Sequence, residues 1–468
     1  MYRRFERVHF VGIGGVGMSG IAEVLHNLGY KVEGSDLRDS ETTRRLEQLG
    51  IKIHLGHRED NVKTTDVVVI SSAVAADNPE VLMAGKLSIP VIPRAEMLAE
   101  LARLKYGVLI AGAHGKTTTT SLVASILGEA MLDPTVVIGG KLKGMGSNAR
   151  MGEGEFMVAE ADESDGSFLK LTPTIAVVTN IDKEHMDYFK SMDEIRGAFV
   201  SFINKVPFYG LAILCGDNKY IQDILPEVRR RFITYGVGEG HDLIASEIVI
   251  GNTMTRFEVL LNGTSLGLFE VPLPGRHNVC NCLAAIAVAN ELKVDINIIR
   301  QALKNFSGVQ RRFEFKGSIA GIDVIDDYAH HPSEIMATLK AMKEAMDNDN
   351  VIKGKGGRLV AVFQPHRYTR TRDLLEEFID AFVDVDKLLL LDIYPAGEKP
   401  LPGVNSELLC QGITETGKDV MYFRDRGELI SHLGIELREG DRLLTLGAGD
   451  VWKLGEEFLQ AGDGQVLN

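Results

Sequence analysis

The chain has few cysteines, no long apolar run and no excess of basic residues. Its four cysteines, Cys215, Cys280, Cys282 and Cys410, are spread over 468 residues. The closest two, Cys280 and Cys282, lie two apart on a stretch that reads as helix, where they face different sides. That spacing argues against a local metal or disulfide pair. All four are therefore expected as reduced core thiols of a cytoplasmic protein. No stretch of about 18 apolar residues occurs, so no helical membrane span is expected. The Met1-Tyr2-Arg3-Arg4 start leads into an apolar run broken by Gly12, Gly14, Gly15 and Gly17, unlike a secretory leader. Lys and Arg total 51 against 65 Asp and Glu, a net charge of −14. This balance speaks against a nucleic-acid or anionic-membrane binder, which would carry a basic face. It leaves room for a local basic pocket that holds phosphates.

What remains is an ordinary globular composition, 45% hydrophobic and 25% charged. At about one domain per 150 residues, the length predicts three domains. Short apolar runs alternate with helical stretches in three blocks, the pattern of α/β units around mostly parallel sheets. The expected boundaries are 1–106, 107–309 and 310–468. The first block opens on a strand at Val8-His9-Phe10-Val11, followed by a helix from Ser19 to Leu28. Further strands end at Ser35-Asp36 and run from Val67 to Ser71. The second has strands at Val108 to Ala111, Phe156 to Ala159, Ile175 to Val178 and Leu211 to Leu214. It turns β-rich from Asp242 to Val271, then helical from Asn278 to Leu292. The third has strands at Ile322 to Ile325, Val360 to Phe363, Leu388 to Leu391 and Leu443 to Leu446. The first and third blocks read as Rossmann-like domains. The middle one reads as a phosphate-loop ATPase type with a small β-rich part.

The middle block carries the most chemistry. Gly112-Ala113-His114-Gly115-Lys116-Thr117-Thr118 joins an apolar strand to a helix with an apolar stripe of Leu122, Val123, Ile126, Leu127, Ala130 and Met131. Glycines let backbone N–H groups close around phosphate, and the helix N-terminus favours negative charge. Lys116 suits the β/γ-phosphates of ATP, and the Thr117 hydroxyl suits Mg²⁺. Gly112 and Gly115 stand closer than in the general phosphate-loop pattern. The strand Phe156 to Ala159 ends in Glu160-Ala161-Asp162-Glu163-Ser164-Asp165. Glu160, first off the strand, is the favoured metal ligand of four acids. His185 follows the next strand end and is either a surface histidine or part of the site.

The first block contains Gly12-Ile13-Gly14-Gly15-Val16-Gly17 between a strand and a helix, with Asp36 about 20 residues on, a dinucleotide-type context. A pyrophosphate at a helix N-terminus satisfies it, whether from NAD, FAD or a UDP-sugar. Alone it would suggest an oxidoreductase. Gly14, Gly15, Val16, Gly17 and Asp36 are its candidate ligand residues, and Ser71 and Ser72 end a neighbouring strand. In the last block, Asp326 to Pro332 and Gln364 to Thr371 are polar clusters after apolar strands. His366, Arg367 and Arg370 would hold a carboxylate, since arginine offers a planar fork.

Taken jointly, Gly12 to Gly20, Gly112 to Thr118, Glu160 to Phe168, Asn180 to Asp187, Gly275 to Asn281, Asp326 to Pro332, Gln364 to Thr371 and Gly447 to Lys453 resemble the Mur ligase family, in family order across nearly the whole chain. The short phosphate loop is that family's own form. Within the family, the first turn (Gly-Gly-Val-Gly-Met-Ser-Gly) resembles the branch that joins L-alanine to UDP-N-acetylmuramate; a branch that adds a tripeptide is the alternative. The resemblance implies an N-terminal domain for UDP-N-acetylmuramate, a central domain for ATP and Mg²⁺, and a C-terminal domain for L-alanine. It implies phosphate and metal roles for Lys116, Thr117, Glu160 and His185. Asn180 joins the ATP-binding set, and His277, Asn278 and Asn281 stand on the adenine side. It places Tyr328, His330, His366, Arg367 and Arg370 at the amino-acid pocket, with His330 the candidate for the amine proton. Ala329 departs from a common glycine, which slightly stiffens that turn. A cytoplasmic monomer or homodimer without nucleic-acid or membrane partners is expected.

Overall fold

The computed structural model describes residues 5–71, 73–139, 149–186, 188–251, 254–353 and 356–464. Ser72 and Asp187 lie outside the described residues. The chain forms two compact units. One holds Met1–Ser246, Glu258–Phe269 and Cys280–Ser307; the other holds Glu247–Phe257, Glu270–Val279 and Gly308–Asn468.

The first unit begins with five parallel strands: β1 (Arg7–Val11), β2 (Lys31–Asp36), β3 (Lys52–Leu55), β4 (Val67–Ile70) and β5 (Val91–Pro93). Their spatial order is β3-β2-β1-β4-β5. The order reverses between β1 and β4, and the crevice at such a reversal is where α/β sheets take ligands. The helix Val16–Asn27 starts three residues before the expected Ser19, because Gly15, extended, hands the chain straight into it. A polar knot braces this sheet. Glu80 is fully buried and accepts from Ser35 Oγ at 2.6 Å and Asn61 Nδ2 at 2.5 Å, with His9 Nε2 at 3.4 Å. Burial pushes the Glu80 carboxyl up, but the His9, Ser35 and Asn61 hydrogen bonds outweigh it and bring it down to about 2.

The second sheet contains β6 (Tyr106–Ala111), β7 (Thr135–Val137), β8 (Ala149–Arg150), β9 (Phe156–Glu160), β10 (Ile175–Val178), β11 (Leu211–Cys215), β12 (Phe232–Gly236), β13 (Leu243–Ile250), β14 (Thr255–Leu261) and β15 (Thr264–Val271). Its order is β15-β14-β13-β12-β11-β10-β6-β9-β7-β8. β10 and β11 are buried at every residue, the pattern of parallel strands covered on both faces. The helix Lys116–Glu129 buries Leu122, Val123, Ile126 and Leu127 as expected. Met131 does not extend that stripe. The helix ends at Glu129, and Met131 turns to φ 59° and is 88% exposed.

The second unit is built on β16 (Glu314–Ile319), β17 (Ile322–Asp327), β18 (Leu359–Phe363), β19 (Lys387–Leu390), β20 (Val420–Tyr422) and β21 (Arg442–Leu446), in order β16-β17-β21-β18-β19-β20. Only β16 runs antiparallel, at the edge. Alternate residues of β18 serve two cores. Leu359, Ala361 and Phe363 pack with Phe378 and Phe382 on one face, and Val360 and Val362 pack with Leu429 and Leu433 on the other.

The cysteines correct the expectation of four core thiols. Cys215 and Cys282 are buried, whereas Cys280 and Cys410 are half-buried. Cys280 sits in the first turns of the helix Arg276–Glu291, at an end rather than in its covered middle. Among the described residues no helix is long and apolar enough to cross a membrane.

Candidate active site

The first glycine turn and Lys116, which directly follows the second, line one cavity of about 320 Å³ in the first unit. Gly15, Gly17, Ser71 and Arg94 form one side. Lys116, Gly139, Glu160 and Asp162 form the other. The Gly14 N–H donates to Asp36 Oδ2 at 2.9 Å, so Asp36 holds the turn itself. A Cβ at Gly17 would lie 2.7 Å from Arg94 Nη1, so a side chain there would displace the Arg94 guanidinium. Arg94 in turn donates to Asp162 Oδ2 at 3.0 Å, tying the two sides together. The side chain of Val16 lies outside what is described.

The second turn begins where β6 ends. Gly112 has φ 134°, and a Cβ there would lie 2.2 Å from Thr179 Oγ1. Gly115, at φ 80°, caps the helix Lys116–Glu129 and abuts Asn281. Asn180 clamps the turn from both directions. Its Oδ1 accepts from the His114 N–H at 2.8 Å and its Nδ2 donates to the His114 carbonyl at 3.0 Å. His114 Nε2 also meets Asp182 Oδ2 at 3.0 Å. Asn281 Oδ1 accepts from Thr119 Oγ1 at 3.1 Å, inside the first turns of the helix. Ala113 adds its carbonyl 3.3 Å from Lys116 Nζ. Thr117 is half-buried and Thr118 is buried.

Lys116 Nζ is held by Glu163, at 2.7 and 3.0 Å, and by the Gly112 carbonyl at 2.5 Å. Burial opposes the Lys116 charge, but Glu163, Asp162 and Glu160 outweigh it and raise the ammonium above its ordinary range. Burial wins at Glu163, which is pushed up to about 7 despite Lys116. Glu160 takes the Gly139 N–H at 2.8 Å. His185, at φ 56°, lies 3.8 Å from Glu163 and 3.6 Å from Glu184. Ligand atoms of Glu163, Glu184 and His185 fall within 4.8 Å of one another. Neither Glu163 nor Arg94 stands out in the sequence. Both follow strand ends, β9 and β5, and strand-end position was the one available signal.

In the second unit, the loops after β17, β18 and β21 meet. Arg311 ties the end of β17 to the loop after β21, with Nε to Asp326 Oδ2 at 2.9 Å and Nη1 to the Gly449 carbonyl at 2.9 Å. Arg311 and Arg312 each stand 5.1 Å from the Tyr328 ring. The His330 and His366 rings contact edge-on at 5.7 Å, and His366 stacks on Tyr394. Arg370 Nη1 donates to His366 Nδ1 at 3.4 Å, and Arg367 takes φ 74° at the head of the helix Tyr368–Asp373. Burial, chiefly, lowers His330 to about 3 and His366 to about 4. His277 is likewise lowered to about 4 by burial, and Asn278 donates to the Pro274 carbonyl at 2.7 Å.

Family models cover nearly the whole chain. The Mur ligase family catalytic domain matches residues 7–106, the Mur ligase middle domain 110–289, and the Mur ligase glutamate ligase domain 311–449. The chain belongs to the Mur ligase family. This Mur ligase is 58% identical to the UDP-N-acetylmuramate–L-alanine ligase of Geotalea daltonii, over 98% of its own length and 99% of the relative's. It superposes on the crystal structure of the UDP-N-acetylmuramate–alanine ligase of Thermotoga maritima with a TM-score of 0.82 at 29% identity, covering 98% and 99% of the two chains. A murein peptide ligase from Psychrobacter arcticus, 24% identical with a TM-score of 0.69 over 98% and 99% of the chains, shares the Mur ligase fold.

Proposed function

We propose that this Mur ligase joins L-alanine to the carboxylate of UDP-N-acetylmuramate at the expense of ATP, a step of peptidoglycan precursor synthesis. The observation that carries the proposal is full-length 58% identity to a relative bearing that activity in its name. The cavity that puts the first glycine turn beside Lys116 supports it, because the acid to be activated must meet the γ-phosphate. On this proposal residues 1–106 carry the UDP-sugar, 107–309 ATP, and 310–468 the amino acid.

The UDP pyrophosphate lies at Gly14, Gly15, Val16 and Gly17, where helix N–H groups favour it. ATP phosphates occupy Gly112 to Thr118, and Lys116 exchanges Glu163 for phosphate oxygens. Adenine lies toward His277, Asn278 and Asn281. Magnesium fits the acidic wall, where Glu163, Glu184 and His185 converge. Glu160, in the cavity beside Lys116, and Thr117, the next residue in the helix, would complete its holders. When bound, the ion neutralises charge on the transferred phosphoryl group. The muramate carboxylate attacks the γ-phosphorus, giving ADP and an acyl phosphate. The alanine amine then attacks the acyl carbon, the C–O bond to phosphate breaks, and the nitrogen loses a proton. Lys116 stabilises charge developing in the first step. Arg367 and Arg370 hold the alanine carboxylate, and uncharged His330 orients the amine.

UDP-N-acetylmuramate labelled with ¹⁸O in its carboxylate tests the intermediate. One labelled oxygen should appear in each released phosphate. Unlabelled phosphate would exclude the acyl-phosphate route.

A further inference from the structure

Outside the machinery above, three potential ligands for a soft metal converge in the first unit. The sulfurs of Cys215 and Cys280 and a carboxylate oxygen of Asp217 lie within 4.8 Å of one another. They come from separate places: Cys215 ends β11, Asp217 follows in the next turn, and Cys280 lies in the helix Arg276–Glu291. Cys280 Sγ stands 3.7 Å from Asp217 Oδ2. A tetrahedral zinc ion with bonds of about 2.3 Å to sulfur and about 2.1 Å to oxygen sets such ligands roughly 3.6 Å apart. The carboxylate is already oriented from behind. Val237 N donates to its Oδ2 at 2.7 Å, Gly238 N donates to Oδ1 at 3.0 Å, and His241 Nε2 lies 3.1 Å from Oδ1. Such outer partners are what fix the direction of a metal ligand.

The cluster is joined to the nucleotide loop at two points. Cys280 precedes Asn281, which abuts Gly115 and binds Thr119. Asn218 donates to the Ile181 carbonyl at 3.2 Å, next to the Asn180 clamp. We propose that Cys215, Asp217 and Cys280 bind one soft divalent cation of the zinc class, and that its occupancy changes the affinity for ATP. Each ligating thiol gives up its proton to solvent on binding. The ATP half of this inference rests on the proposed nucleotide site; the cation half does not.

The test uses the full chain, reduced, with excess Mg²⁺. Titration with Co²⁺ should give a near-ultraviolet sulfur-to-cobalt charge-transfer band saturating at one equivalent. Ions held only by oxygen and imidazole do not produce it. Cys280→Ser and Cys215→Ser should abolish the band, Cys280→Ser with basal turnover intact, while Cys282→Ala keeps it. No band in the reduced parent chain, or a band that survives Cys280→Ser, overturns the site. One equivalent of Zn²⁺ should shift the KM for ATP by at least ~5-fold in the parent and not in Cys280→Ser. An unchanged KM alongside a genuine band overturns the coupling and leaves the ligand set standing.

Discussion

At the residue scale, Lys116 is the sharpest test. It sits among Glu163, Asp162 and Glu160 and keeps its charge against burial. Lys116→Ala should lose at least ~10²-fold in turnover with the fold retained. Steady-state phosphate release measures this, and near-normal turnover would contradict the role. Gly112 is constrained twice, by φ 134° and by Thr179 Oγ1 at 2.2 Å from a would-be Cβ. Gly112→Ala should destabilise the chain by about 1–3 kcal/mol in urea denaturation. Much of this was legible beforehand, because Gly112 to Thr118 is a contiguous motif between a strand and a helix. Glu163 was not, since its role arises only when the turn after β9 folds back onto Lys116. Nothing in the run Glu160 to Asp165 says which acid is buried and which is solvated.

At the scale of elements, strands and their polar ends were readable and partnerships between distant loops were not. β10 was bounded correctly because an all-apolar run of four is a covered parallel strand. The Glu80 knot joins β1, β2 and two other segments, and no local pattern announces it. It makes a pH prediction. The Glu80 carboxyl titrates near 2 folded and near 4.5 unfolded. Its stabilisation is therefore complete above pH ~4.5 and lost as pH falls toward 2, by up to about 3 kcal/mol. The stability gap between the parent and Glu80→Gln should narrow across that window in denaturation curves. A gap independent of pH would contradict it. The cluster of loops after β17, β18 and β21 makes another. His330 and His366 are uncharged above pH ~4. The KM for L-alanine should show no histidine step between pH 6 and 7, whereas Arg370→Ala should raise it at least ~10-fold and leave the KM for ATP unchanged.

At the scale of the whole molecule, three α/β sheets and their order along the chain followed from alternating apolar runs and helical stretches. The antiparallel edge strand β16 did not, because Glu314 to Ile319 mixes charge, glycine and apolar residues without a strand period. The approach of Cys280 to Cys215 is not readable either, since the two lie 65 residues apart in sequence, one on a helix and one at a strand end. The choice of acceptor rests on whole-chain likeness to a named relative beside the one motif that bears on it, the first glycine turn. The most direct measurement is phosphate release from ATP and Mg²⁺ with UDP-N-acetylmuramate, offering L-alanine, other amino acids and a tripeptide in turn. Strong release with L-alanine, and weaker or none with the others, is the predicted result. Release with the tripeptide alone, or with no acceptor at all, would contradict it.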